Sequence, residues 1–85
     1  MSMKDAFYLK PGEWLFVGDY TAIWVHVPHT DATMGLVRLP ISLTGSEVPP
    51  VWQWDGNKEA PTLSPSINVI GVWHGWLRAG QLVDA

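Results

Sequence analysis

Three histidines, His26, His29 and His74, are the side chains of this chain best suited to chemistry. His26-x-x-His29 followed by Asp31, with the distant His74, offers enough nitrogen and oxygen donors for zinc. The pair falls at the end of an apolar run and lacks the helical i, i+4 spacing that puts two imidazoles on one face. Its simpler reading is a half-buried His26 and a solvated His29. A second set is Thr62, Ser64 and Ser66 together with His74 and Asp55, the residue types of a serine nucleophile, its base and an orienting carboxylate. No Gly-x-Ser-x-Gly elbow accompanies them. Pro61 and Pro65 point instead to a fixed loop whose hydroxyls satisfy backbone groups. No paired carboxylates and no glycine-rich phosphate cradle occur, so the residues favour binding over catalysis and none is assigned as catalytic.

The third set is aromatic. Four of the six tryptophans lie between Val51 and Leu82. Trp52 and Trp54 share a strand face by period-2 alternation, and Trp73 and Trp76 flank a turn expected at His74-Gly75. With Asp55 and His74 they make a candidate partner-binding patch, because tryptophan is enriched where one large residue dominates binding energy. The alternative is a core wall: each buried aromatic removes roughly 150–250 Å² from water, which a short chain without cysteine needs.

Eighty-five residues make one domain, with residues 1–10 as a lead-in. The formal charge is −3, and the five basic residues are scattered, which disfavours direct nucleic-acid binding. No apolar stretch is long enough to span a membrane and the N-terminus lacks a signal-peptide core, so a cytoplasmic protein is expected.

Short strands must position these residues. Trp14–Val17 reads as a strand, and the alternation of Tyr20–Val27, apolar on both faces, predicts a central one ended by Pro28. Met34–Leu39 follows, then an edge piece at Ile41–Leu43, a turn-rich connection over Thr44–Pro50, and Val51–Trp54 closed by Asp55-Gly56. Ala60–Ser66 reads as an extended segment lying on the sheet surface. Ile67–Trp73 reads as a strand with Gly71 as a bulge or a point of close backbone approach, and Ala79-Gly80 as the turn of a terminal hairpin. No window carries a sustained helical period. The expected fold is a small all-β barrel or sandwich of about five to seven short, mainly antiparallel strands.

The run Trp52-Gln53-Trp54-Asp55-Gly56, then Pro61-Thr62-Leu63-Ser64-Pro65-Ser66-Ile67, then Trp73-His74-Gly75-Trp76-Leu77 with Gly80 resembles a family of small bacteriophage and prophage proteins, some carried under an ammonia monooxygenase label. The resemblance spans Trp52 to about Leu82 and implies a phage or prophage origin, a small β domain and no established reaction. Many members have a cysteine directly before the histidine, which implies metal binding in them; Trp73 stands there in this chain. Trp54, Asp55, Pro61, Ser64, Pro65, Ser66, His74 and Gly80 carry over as motif positions, read as structural, with Thr62 beside them. The resulting expectation is a phage-encoded accessory protein that docks on a host or phage protein through exposed aromatics, inhibiting a host enzyme or defence complex, with a homodimer as companion. The alternative is a metal- or small-ligand-binding domain in which His74 joins His26 or His29, zinc being the cofactor to consider.

Overall fold

The computed structural model describes residues 8–30, 35–46 and 50–85. Most of the lead-in, Asp31 and the middle of the Thr44–Pro50 connection lie outside them. The described chain is all-β, in eight short strands forming two sheets in a sandwich-like arrangement with no closed barrel. A five-stranded sheet has the order β1 (Trp14–Phe16), β2 (Ala22–His26), β3 (Leu36–Ser42), β4 (Trp52–Trp54), β5 (Leu63–Ser64). A three-stranded sheet has the order β6 (Ile67–Val69), β7 (Trp73–Arg78), β8 (Gln81–Asp84). All neighbours pair antiparallel except β3 and β4.

β2 lies inside its sheet, as apolar bulk on both faces requires: Ala22, Ile23 and Val25 are fully buried. The strand starts two residues later than expected because Tyr20 takes a left-handed φ of 59° while Asp19 accepts bonds from the Thr21 amide and hydroxyl. Those bonds hold the Asp19 carboxyl below its ordinary value.

β3 corrects the expected break at Pro40. It runs unbroken through the proline, and Ile41–Ser42 is an interior segment that pairs with β4. The Ile41 amide donates to Thr21 O, so alternation turns the Pro40 nitrogen away from β2. β4 begins its pairing only at Ile41, and the missing donor therefore interrupts no ladder.

Two further expectations change with the second half of the chain. Ala60–Ser66 does not lie on a sheet surface: Pro61 and Leu63 are buried, and Leu63–Ser64 pairs with β4. Gly71 is no bulge. With a φ of +77° it sits in the reversal between Val69 and Trp73, so the expected single strand Ile67–Trp73 is a hairpin. These two changes raise the strand count above the expected range. Ala79 and Gly80 both have positive φ and join β7 to β8 as a two-residue turn, the geometry that matches the right-handed twist of the flanking strands.

The core lies between the sheets. Phe16, Ile23, Val25, Leu39, Ile41, Trp54 and Leu63 from the larger sheet pack with Ile67, Trp73 and Leu77 from the smaller. Polar ties lock the layers together. The Trp14 indole donates to Gly80 O at 2.7 Å, the Gly80 amide donates to Pro61 O, and the Ala79 amide donates to Thr62 Oγ1. Thus Gly80, far from Pro61 and Thr62 in the motif, meets them at one seam.

Candidate functional site: a serine–histidine pair on the smaller sheet

The hairpin about Gly71 pairs Asn68 with His74 and Ile67 with Gly75. Period-2 alternation on β7 then sends Trp73, Gly75 and Leu77 into the core and leaves His74 and Arg78 exposed, with Trp76 half-buried between them. No turn forms at His74-Gly75. Both residues lie inside β7, and a side chain at position 75 would collide with the Trp73 ring and Val83 O. Glycine there lets the Trp73 indole lie flat beneath the strand, and that ring's Nε1 donates to Asp84 Oδ1 at 2.7 Å.

On the outward face Ser66 Oγ lies 3.0 Å from His74 Nε2. With the imidazole protonated on Nδ1, the serine hydroxyl donates to Nε2, which is the contact a general base makes with the nucleophile it activates. Both partners stand on fixed backbone. Ser66 lies between two buried anchors, Leu63 in the larger sheet and Ile67 in the smaller, each about 1% exposed. Its carbonyl accepts a long bond, 3.4 Å, from the Trp52 indole. His74 is held between buried Trp73 and buried Gly75. The sheet thus fixes the distance between the two functional atoms before any substrate arrives.

The other histidines are engaged elsewhere. His26 is 5% exposed, and its Nδ1–H donates to Val27 O. His29, with a left-handed φ of 69°, meets both Asp84 oxygens at 3.0 and 3.1 Å. The Trp73 indole first, and His29 second, hold the Asp84 carboxyl below its ordinary value. Among the described residues no group of three potential ligands gathers at metal-binding distance, and Asp31 lies outside them. Asp55 does not approach His74: its Oδ1 accepts the Asn57 and Thr62 amides. Of the Thr62, Ser64, Ser66, His74 and Asp55 set, the structure joins Ser66 to His74. Thr62 is occupied at the seam, and Ser64 faces a neighbouring cleft.

The four tryptophans do not share one surface. Trp54 and Trp73 are each 8% exposed and belong to the core. Trp54 packs against Phe16 and lies parallel to the Tyr20 ring, 5.9 Å away. Trp52 and Trp76 are half-buried, and the Arg78 guanidinium sits 4.5 Å from the Trp76 ring centroid.

Fold and site together define a small β-sandwich domain in which His74, on the outer face of the smaller sheet, meets Ser66 at the entry to β6. The chain belongs to the family described as bacterial ubiquitination-like system serine protease (BubE), whose model matches residues 3–85. No curated protein and no solved structure matches the chain. The family assignment overturns the expectation of a phage-encoded accessory protein acting as an inhibitor through exposed aromatics: the family is a bacterial one and is described as a protease. The burial of Trp54 and Trp73 gives the physical reason that aromatic content misled, since here it fills the core.

One signal in the sequence points to the pair. Folding the chain about Gly71 as a turn sets Asn68 opposite His74, and alternation then puts Ser66 on the same face as the imidazole. Reading Gly71 as a bulge hides this.

Proposed function

We propose that this domain is a serine peptidase of a bacterial ubiquitination-like system, with Ser66 as nucleophile and His74 as its base. The observation that carries the reading is the 3.0 Å contact between Ser66 Oγ and His74 Nε2 in a chain of this family. His74 Nε2 takes the hydroxyl proton as Ser66 Oγ attacks the scissile carbonyl. The imidazolium then returns that proton to the departing amine, leaving an acyl group on Ser66. Water, deprotonated by the same nitrogen, releases the acid and restores the hydroxyl.

The pair works as a dyad. Among the described residues no carboxylate hydrogen-bonds the His74 ring, and Asp84, on the neighbouring strand, is held by Trp73 and His29. Strand geometry does the orienting instead: Trp73 and Gly75 fix the backbone on both sides of His74, and Asn68 stands opposite it on β6. A fluorophosphonate probe, which phosphonylates activated serines, tests the reading. Ser66 carries the adduct in the wild-type domain, and a Ser66→Ala variant of unchanged circular dichroism takes up none. A wild-type domain that resists the probe, or carries it on another serine, overturns the assignment.

A further inference from the structure

Nucleophile and base leave one charge unaccounted for. The carbonyl oxygen becomes an oxyanion as Ser66 Oγ adds to the carbon, and a preset donor aimed at that oxygen is usually the largest single term in such catalysis. The register of the smaller sheet supplies one. Asn68 on β6 is the direct partner of His74 on β7, and facing residues of an antiparallel pair have Cα atoms only about 4.5–5.5 Å apart. Ser66 and Asn68 flank Ile67, whose side chain is buried, while Asn68 is exposed. Alternation therefore sends the Asn68 amide to the face on which Ser66 Oγ meets His74 Nε2. Two residues of extended chain, about 7 Å, separate Ser66 from Asn68. The other donors nearby are spent or remote. The Trp52 and Trp73 indoles donate to Ser66 O and Asp84 Oδ1. Arg78 shares the outer face of β7 but lies four residues from His74, about 13 Å along the strand, with its guanidinium over Trp76.

We infer that Asn68 is a further catalytic residue, its side-chain amide donating to the oxyanion of the tetrahedral intermediate. The inference rests on the peptidase reading and completes its chemistry. As the Oγ–C bond forms, the hydroxyl proton passes to His74 Nε2 and the carbonyl π electrons move onto oxygen. Asn68 Nδ2–H then meets a negative charge where the ground state held a weaker acceptor. An interaction that strengthens toward the transition state raises kcat instead of only tightening binding. A preset amide also avoids the reorganisation that solvent would need. The geometry suits this task better than that of orienting His74. Orientation would need a resting bond from the imidazole Nδ1–H to the Asn68 oxygen, and among the described residues none joins the two side chains.

The test compares the wild-type domain with Asn68→Ala and the isosteric Asn68→Asp on p-nitrophenyl acetate and on its thiono counterpart, in which sulfur replaces the carbonyl oxygen. Circular dichroism of each protein and fluorophosphonate labelling of wild-type Ser66 are measured in parallel. In Asn68→Ala, kcat on the oxygen ester falls about 10²-fold, the low end for loss of one such donor because Asn68 is exposed. Sulfur is a weak acceptor, so the thiono ester slows by less than about threefold. Asn68→Asp slows the oxygen ester at least as much, since a carboxylate has no donor and repels the oxyanion. A residue that oriented His74 would do the reverse, because a carboxylate holds an imidazole at least as well as an amide does. No slowing, equal slowing on both esters, or activity kept in Asn68→Asp overturns the oxyanion assignment and leaves the dyad standing. So does a wild type that labels on Ser66 yet hydrolyses the oxygen ester no faster than Ser66→Ala. A wild type that does not label overturns both readings.

Discussion

His26 and His74 both lie on strands of one small sandwich, and their surroundings are opposite. His26 ends β2 in the larger sheet, where its ring is buried and its Nδ1–H is committed to the next residue's carbonyl. His74 is in the smaller sheet, exposed, with Nε2 turned toward a hydroxyl. The larger sheet supplies most of the core, and its aromatic residues pack on one another. The smaller sheet is apolar on its inner face and carries His74, in contact with Ser66 at the entry to β6, on its outer one. The lesson is that a two-layer fold can place chemistry on a face that packing leaves alone, provided the inner face fixes the strands beneath it.

That contrast can be broken from either side. The largest expected effect is on chemistry: Ser66→Ala removes the nucleophile and lowers turnover by about 10³-fold or more, about 4 kcal/mol of barrier. Its urea midpoint stays near wild type because Ser66 is only half-buried and its hydroxyl bonds the exposed His74 ring. Activity at the wild-type level would show that the outer face is inert.

On the inner side, Leu63→Ala opens a cavity at a fully buried position in β5, and we expect a loss of about 2–5 kcal/mol in urea denaturation. Gly75→Ala overfills the same inner face. Its methyl group meets the Trp73 ring and Val83 O, so about 1–3 kcal/mol is lost, and probe labelling falls as well because His74 is the adjacent residue. A Gly75→Ala protein with normal stability and normal labelling would separate the strand from the site it is said to hold.

Smaller effects sharpen the seam. Thr62→Val deletes the acceptor for the Ala79 amide and should cost about 1 kcal/mol, with peptidase activity retained. The smallest effect is acid sensitivity. The Asp84 carboxyl is lowered from about 3.8 by the Trp73 indole and then by His29. A folded value below the unfolded one means stabilisation that is complete above about pH 4 and lost as pH falls through the lowered value. Asp84→Asn should flatten the acid limb of a stability–pH profile. Asp19, lowered in the same sense by Thr21, leaves part of that limb in place.

Much of the fold was legible in the residues. The alternation of Tyr20–Val27, the Asp55-Gly56 and Ala79-Gly80 turns and the lack of a helical period announced short strands, and these are present. Pro40 and Gly71 were harder. Whether a proline breaks a strand depends on which way its nitrogen faces, and whether a glycine is a bulge or a turn depends on the pairing of its neighbours. Both are tertiary facts. The site was concealed for the same reason, because Ser66 and His74 are neighbours only after the hairpin closes about Gly71. Tryptophan content misdirected the reading because volume alone does not reveal which side of a strand a ring occupies. Trp54 and Trp73 went inward with the alternation of their own strands.

The central claim is that His74, and not another histidine, activates Ser66. The rate of fluorophosphonate inactivation, with the adduct mapped by mass spectrometry, tests it most directly when wild type, His74→Ala and His29→Ala are compared. The account predicts an adduct on Ser66, a slowing of about 10²-fold or more in His74→Ala, and a rate within about twofold of wild type in His29→Ala, whose pair with Asp84 is a surface one. Labelling of His74→Ala at the wild-type rate, or an adduct away from Ser66, would contradict it.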